Sequence, residues 1–580
     1  MPNLHKLFFI VFFVLFSVLT AATITSVQPG DWEVPSTWDS APAIPTSADD
    51  VIIAHAVSVP AHDPIYMKNL TINLGATLDA SDISTKIIVK GNWLNNGTFI
   101  KSGSGTVTFS STVADQSVDP GSSTFPAMVL SNLGFSITIS DHINIDGNLT
   151  LNAGILDLNA DDKNVNIAGH VVITSGAVWT KGDETVTFDG ATQLLSDANT
   201  IPNDLGDALI NSYISMTVAT NVIFTSFEIS SDSKSIVDSS VTLMITGALT
   251  IAGELEMADG SVVDAGGDGT VSGTLDMDGT SRLNMEGDLS FSGTIEADTD
   301  SRIDLDGSSL QTISGAPAFE PTFNSIFCSS SASVFNLTAT INDTLDAGGE
   351  DFTISTDQTL TMASGSVTIL SGGTWTRDGT LTLSTDSKVL YTTNDQSTMG
   401  NQIYGNVEHD GGLLTLGNTF TVSGIFTNTS GDFLPGARNI FADGIVWTAG
   451  SVGGTPSQPW DIGEDGIDID GGAFVATNNT FTVAGDWDMN GSGTFIPGTG
   501  TVIFDGTAPQ SITSADQEFY SVQNSNTTAP VSIADKFKIN AGGTLTIDEN
   551  ATFATAGNEF NDNGGTIANN GTFEIHGDET

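Results

Sequence analysis

The chain has 580 residues, of which 69 are Asp or Glu and only 15 are Lys or Arg, for a formal net charge of −54. That balance excludes nucleic acid and anionic membranes as partners, because the cations that would neutralise phosphates are missing; it points to cations as counterparts and to solubility in salt. The single cysteine, Cys328, excludes an intramolecular disulfide framework, so stability has to come from stacked backbone.

Residues 1–22 predict a secretory signal peptide: Lys6 precedes an apolar run from Leu7 to Leu19, and small residues follow at Thr20, Ala21 and Ala22. The run is too short for a membrane anchor, which takes about 20 apolar residues. No later segment is apolar enough to insert, so the expected location is extracellular, at a cell surface.

Residues 23–80 differ from the rest and are expected to form an N-terminal cap with the first coils. They carry Gly30-Asp31-Trp32, Thr37-Trp38, Pro45 and Asp49-Asp50-Val51-Ile52-Ile53. This order of Trp, Trp, Pro and Asp-Asp-Val-x-Ile resembles the G8-like modules that open β-helices in secreted surface proteins. The resemblance implies an N-cap shielding the strand edges of a solenoid of the adhesin or filament type.

Residues 81–580 form the repeat region. Thr106-Val107-Thr108-Phe109 precedes Gln116, Thr185-Val186-Thr187-Phe188 precedes Gln193, and Thr501-Val502-Ile503-Phe504 precedes Gln510, with degenerate copies before Gln311 and Gln396. Another phrase, Gly91-Asn92-Trp93, returns as Gly485-Asp486-Trp487. The glutamines are expected to be structural, as an internal amide ladder. Between 243 and 307 the repeat is most regular: Gly247, Gly267, Gly287 and Gly307 recur every 20 residues, in step with Leu243/Val263/Leu283/Ile303, Ile251/Val271/Phe291 and Leu255/Leu275/Ile295. Runs such as Thr274-Leu275-Asp276-Met277-Asp278 alternate apolar and polar residues, which is strand periodicity with one buried face. The predicted fold is all-β: one long parallel β-helix, right-handed by the preference of parallel crossovers, with coils of about 20 residues.

In that register Glu256, Asp276 and Glu296 form one outward column and Asp264, Asn284 and Asp304 another, with Arg282 and Arg302 also in step. Like charges one coil apart, about 4.8 Å, repel by about 1 kcal/mol in water, so the columns favour bound cations or these arginines. Ca²⁺ is the suited metal, since it takes several carboxylate and carbonyl oxygens with loose geometry. Turn phrases ending in Asp278, Asp306 and the pair Asp468 and Asp470 offer further ligands. Eleven Asn-x-Ser/Thr sequons, at Asn69, Asn96, Asn148, Asn336, Asn342, Asn428, Asn478, Asn490, Asn526, Asn550 and Asn570, are candidate glycosylation sites.

Catalytic signatures are missing. The adjacent acids Asp49-Asp50 and Asp161-Asp162 fall on opposite strand faces, and His55, His62, His142, His170, His409 and His576 lack zinc-ligand spacing. Cys328 reads as a buried strand thiol. The repeated tryptophans, as in Trp179-Thr180 and Trp375-Thr376, read as coil-corner fillers before sugar platforms. The expected function is non-enzymatic: an exported structural protein that assembles with copies of itself, or with other surface proteins, through β-helix ends and edges. The alternatives are a monomeric glycan-binding adhesin and, behind it, a polysaccharide-degrading enzyme. Residues 569–580 keep coil character without a lipid or sorting motif, so attachment to a cell is expected through a partner or through assembly with other copies.

Overall fold

The structure is a computed structural model and describes residues 21–60, 64–81, 86–101, 104–159, 163–212, 214–315, 322–323, 325–328, 332–336, 339–347, 351–372, 375–392, 395–398 and 402–576. Residues 1–20 of the expected signal peptide, Asp161-Asp162 and His62 lie outside them. The protein is all-β, 55% strand and 1% helix, and forms a parallel β-solenoid of about 23 turns with ~21 residues per coil. It divides into two compact units, Met1–Thr225 and Ser226–Thr580.

In the first unit, Thr23–Thr25 pairs in parallel with Asp50–Ile53, which pairs in turn with Asn69–Ile72. The segment between the first two strands folds back through a 3-10 turn at Pro35–Thr37. It plugs the end of the core with Trp32 and Trp38, both fully buried and packed edge-to-face at 5.0 Å. Trp38 Nε1 donates to the Trp32 carbonyl at 2.8 Å, satisfying one of the two indoles.

In the second unit the 20-residue register holds as predicted. Thr242–Ile245, Leu249–Ile251 and Glu254–Met257 form the three sides of one coil, and each pairs with the strand 20 residues on. Leu243, Val263 and Leu283 are wholly buried while the next residue on each strand, Met244, Asp264 and Asn284, is on the outer face. The glycine column has a steric cause. A Cβ on Gly287 would lie 2.4 Å from the Gly267 carbonyl carbon, and one on Gly307 2.1 Å from the Glu286 oxygen, so the corner passes against the backbone of the preceding coil. Ser261, Ser281 and Ser301 make a second buried small-residue column at another corner.

The two recurring phrases turn out to be halves of one device. Gln116 Nε2 donates to the carbonyls of Val89 and Gly91 in the coil before it, and its Oε1 accepts the Ser111 amide. Gln193 does the same to Ile167, Gly169 and Gly190, Gln311 to Met285, Gly287 and Gly307, and Gln510 to Val483, Gly485 and Gly506. The residue after each glycine completes it: Asn92, His170, Asp288 and Asp486 accept the backbone N–H of Ser117, Leu194, Thr312 and Ser511. These coils are longer, with Gln 24 or 25 residues beyond its glycine. The inserted residues pull the next backbone amide away from the glycine carbonyl, and the two N–H groups of a primary amide replace it. The glutamines are therefore structural, but each bonds backbone, and the expected Gln-to-Gln ladder is not formed. Gln396 keeps half the device, donating to Leu370 and Thr392.

Candidate functional site

The acidic columns are placed as the register predicts, with Glu256 opposite Asp276 and Asp276 opposite Glu296. Alternation puts these carboxylates on the outer face while Leu255 and Leu275 fill the core. Ligand atoms of Glu254, Glu256 and Asp276 lie within 4.8 Å of one another. Burial, then the charges of Asp278, Glu296, Glu256 and Glu254, push the Asp276 carboxyl above the usual range.

Two members of this cluster were not read from the sequence. Glu254 joins it from the same strand as Glu256, and Lys234, one coil earlier and in register with Glu254, reaches both glutamates, at 2.6 Å for Glu254. Against the opposing effect of burial, the hydrogen bonds it donates to the two glutamates hold the Lys234 ammonium above its usual pKa. Part of the charge is thus already neutralised from within the chain. Glu296 and Asp278 are exposed at the margin.

The second column is claimed by arginine. Arg302 Nη2 lies 2.8 Å from Asp304 and its guanidinium sits 4.7 Å from the centre of the Phe327 ring, which is in register with Asp304. Burial raises the Asp304 carboxyl, opposed by Arg302 and Arg282. Asp306 is raised by partial desolvation and then by the charges of Asp264, Glu286 and Asp304, so the structure gathers the three predicted acids and adds Glu286.

The third group is different. Asp468 stands in register with Asp488, and each has one Oδ1 shut off from solvent with no hydrogen-bond partner. Burial, then Asp470 and Asp488, raise the Asp468 carboxyl. Among the described residues no Lys or Arg pairs with either acid. Hard carboxylate oxygens suit Ca²⁺ in all three groups. The Asp468/Asp488 pair fits a cation better than the Lys234 cluster, because no resident ammonium competes for its oxygens. Asp488 is not legible in the sequence because the repeated phrase beside it, Gly485-Asp486-Trp487, ends one residue before it.

The remaining predicted residues divide by burial. Asn96, Asn148, Asn342, Asn478, Asn490, Asn550 and Asn570 are exposed, and Asn69 is half-buried with its amide on Asp50 at 2.6 Å. Asn428 and Asn526 are core amides and do not present a surface acceptor: Asn428 bonds His409 and the Ala449 carbonyl, Asn526 the Ala508 carbonyl and Gln510. The side chain of Asn336 lies outside the described residues. Cys328 is buried as expected, its thiol pushed up to about 12 by burial. Trp179 is buried, and Trp375 stacks on Phe352 at 4.5 Å, so neither is an open sugar platform.

Groups with catalytic potential are tied into backbone. Asp49 is fixed by the amides of Ala22 and Thr46 and by the Thr46 hydroxyl. His142 and His170 accept backbone amides through Nδ1, and His55 bonds the Ser26 carbonyl. Comparison with protein families, curated proteins and solved structures finds no match to this chain.

Proposed function

We propose that this chain is an exported structural protein of a microbial cell surface, in which the β-solenoid serves as a stiff element and copies join through coil ends and strand edges into a filament, sheath or layer. The observation that carries this reading is the parallel register itself. Each coil offers the next the same row of backbone N–H and C=O groups, so a coil from another copy could add by the same pairing. Among the described residues, Thr23–Thr25 and Thr572–Glu574 are each paired on one side only. The G8-like order at Trp32, Trp38 and Asp49-Asp50 supports a cap on a secreted surface protein, and the apolar leader supports export. No helix among the described residues is long and apolar enough to cross a membrane.

Ca²⁺ enters as a bridge between acidic faces, with Asp468, Asp470 and Asp488 as its best-placed ligands and Asp276 with Glu256 as the second set. Light scattering of the purified chain, at concentrations from nanomolar to tens of micromolar and in Ca²⁺ or EDTA, tests the reading. Mass that grows with concentration and falls in EDTA supports it; a monomer throughout defeats it.

A further inference from the structure

A concave groove of about 490 Å³ runs along the outer face of the first unit, parallel to the solenoid axis. Its floor is one register column, Ile52, Thr71, Leu94 and Asp119, contributed by four successive coils. A second column beside it holds Asp50 and Asn69, continued by Asn92 and Ser117. We infer that this groove binds a linear, uncharged polysaccharide, lying along the axis and crossing several coils.

The chemistry selects that ligand class. Two carboxylates line the groove and no cationic side chain does; Lys68, outside the lining, offsets only one of them, at 3.6 Å from Asp50, so a polyanion is disfavoured. Part of the polar lining is spent on the fold: Asn69 donates to Asp50, Asn69 accepts the Asn92 amide, and Asn92 accepts the Ser117 amide. What is left has no hydrogen-bond partner among the described residues: the second oxygens of Asp50 and Asp119, the Asn92 amide nitrogen and the hydroxyls of Thr71 and Ser117. These are mixed donors and acceptors, the complement of sugar hydroxyls, which both donate and accept. Leu94, 37% exposed, supplies an apolar patch between them for a ring face. A cationic peptide is the poorer fit, because most of the lining is uncharged. Four coils at about 4.8 Å each make the site long and narrow, so it favours a chain over a single sugar. The site meets the strand invoked for assembly only at Thr23, and Trp93, buried beneath it, offers no ring face to a ligand.

The test is titration calorimetry of the full mature chain with neutral hexasaccharides and disaccharides of β-glucan, chitin and mannan type, with oligogalacturonate and oligolysine as charged probes. At least one neutral hexasaccharide is expected to bind saturably, about tenfold or more tighter than its disaccharide, because it meets more coils. Leu94→Arg, an outward position, should abolish binding with the melting temperature unchanged. Asp119→Asn, which keeps an oxygen for the Gly121 amide, should weaken it about tenfold. The inference fails if no neutral chain saturates, if oligolysine binds and the glycans do not, or if folded Leu94→Arg binds as well as the parent chain.

Discussion

Within the second unit, two stretches solve the same packing problem differently. Between Thr242 and Leu305 the coils keep a 20-residue register, and the core is aliphatic but for Phe291, with Leu243, Leu255, Val263, Met277 and Leu283 all buried. From Tyr404 to Phe573 the register is less regular: the strands as far as Ile469 include long, bulged ones, as in Phe420–Leu434 and Trp460–Ile469 with their register shifts, and those beyond are short. There the core carries an unbroken chain of aromatic contacts, from Tyr404 through Trp447, Trp487 and Phe519 to Phe573, with centroid distances of 4.8–6.4 Å. Coil length varies there from 19 residues at Val407↔Phe426 to 25 at Trp487↔Ile512, and rings fill the cross-section at either length. The added residues also break the coil-to-coil ladder at one corner, where Gln510 and Asp486 repair it. A solenoid thus tolerates a lengthened coil where side chains restore the hydrogen bonds lost at its corner.

The largest effect expected to break that contrast is steric. Gly287→Val in the tight stretch drives a side chain into the Gly267 backbone and should cost about 4 kcal/mol or more, whereas Gly564→Ala in the loose stretch, with nothing within 4 Å and φ +79, should cost about 1. Equal losses in urea denaturation would refute the distinction. Next comes core volume. Trp487→Ala should cost about 4 kcal/mol and Leu275→Ala about 3, the first spreading along the aromatic chain and the second staying local in hydrogen exchange.

The corner device sharpens the comparison further. Gln510→Ala leaves the Val483 and Gly485 carbonyls short of a donor and should lose about 2 kcal/mol, and Gln311→Ala should lose nearly as much, since both make the same three bonds and Gln510 adds only one accepted from Asn526. A loss at one and not the other would show that the shared geometry is not what stabilises these corners.

Charge effects are smaller. The folded pKa of Asp276 is raised, by burial first and then by Asp278, Glu296, Glu256 and Glu254. Its contribution is therefore most favourable when protonated, below the unfolded pKa, and is lost as pH rises through the raised folded value. Asp276→Asn should raise the melting temperature at pH 7 by about 1 °C and give no gain at pH 3. A melting temperature lowered at pH 7 would contradict this sign. Least of all, Cys328 in the native protein should resist thiol reagents at pH 8 and react once unfolded, because its thiol is buried and its pKa is about 12.

How much of this was written in the sequence depended on spacing. The 20-residue columns were legible because identical offsets put like residues on like faces, and the pairings at Val263↔Leu283 and Asp276↔Glu296 follow them. The glutamine and Gly-Asx-Trp phrases were visible as separate repeats. Their union was not, because the partners lie in adjacent coils 24 or 25 residues apart, off the dominant period. Lys234 escaped notice because it precedes the regular block, although it stands in register with Glu254. The aromatic chain was illegible because its members come from different sides of the coil and share no period. The sequons show the limit of local motifs: Asn428 and Asn526 carry the same tripeptide signal as Asn96, yet they point into the core.

The most direct test of the assembly proposed for this solenoid is negative-stain electron microscopy of the mature chain, Thr23 to Thr580, in Ca²⁺ and then in EDTA. Filaments or sheets that build up in Ca²⁺ and come apart in EDTA are the predicted result, and isolated particles in both conditions would contradict it.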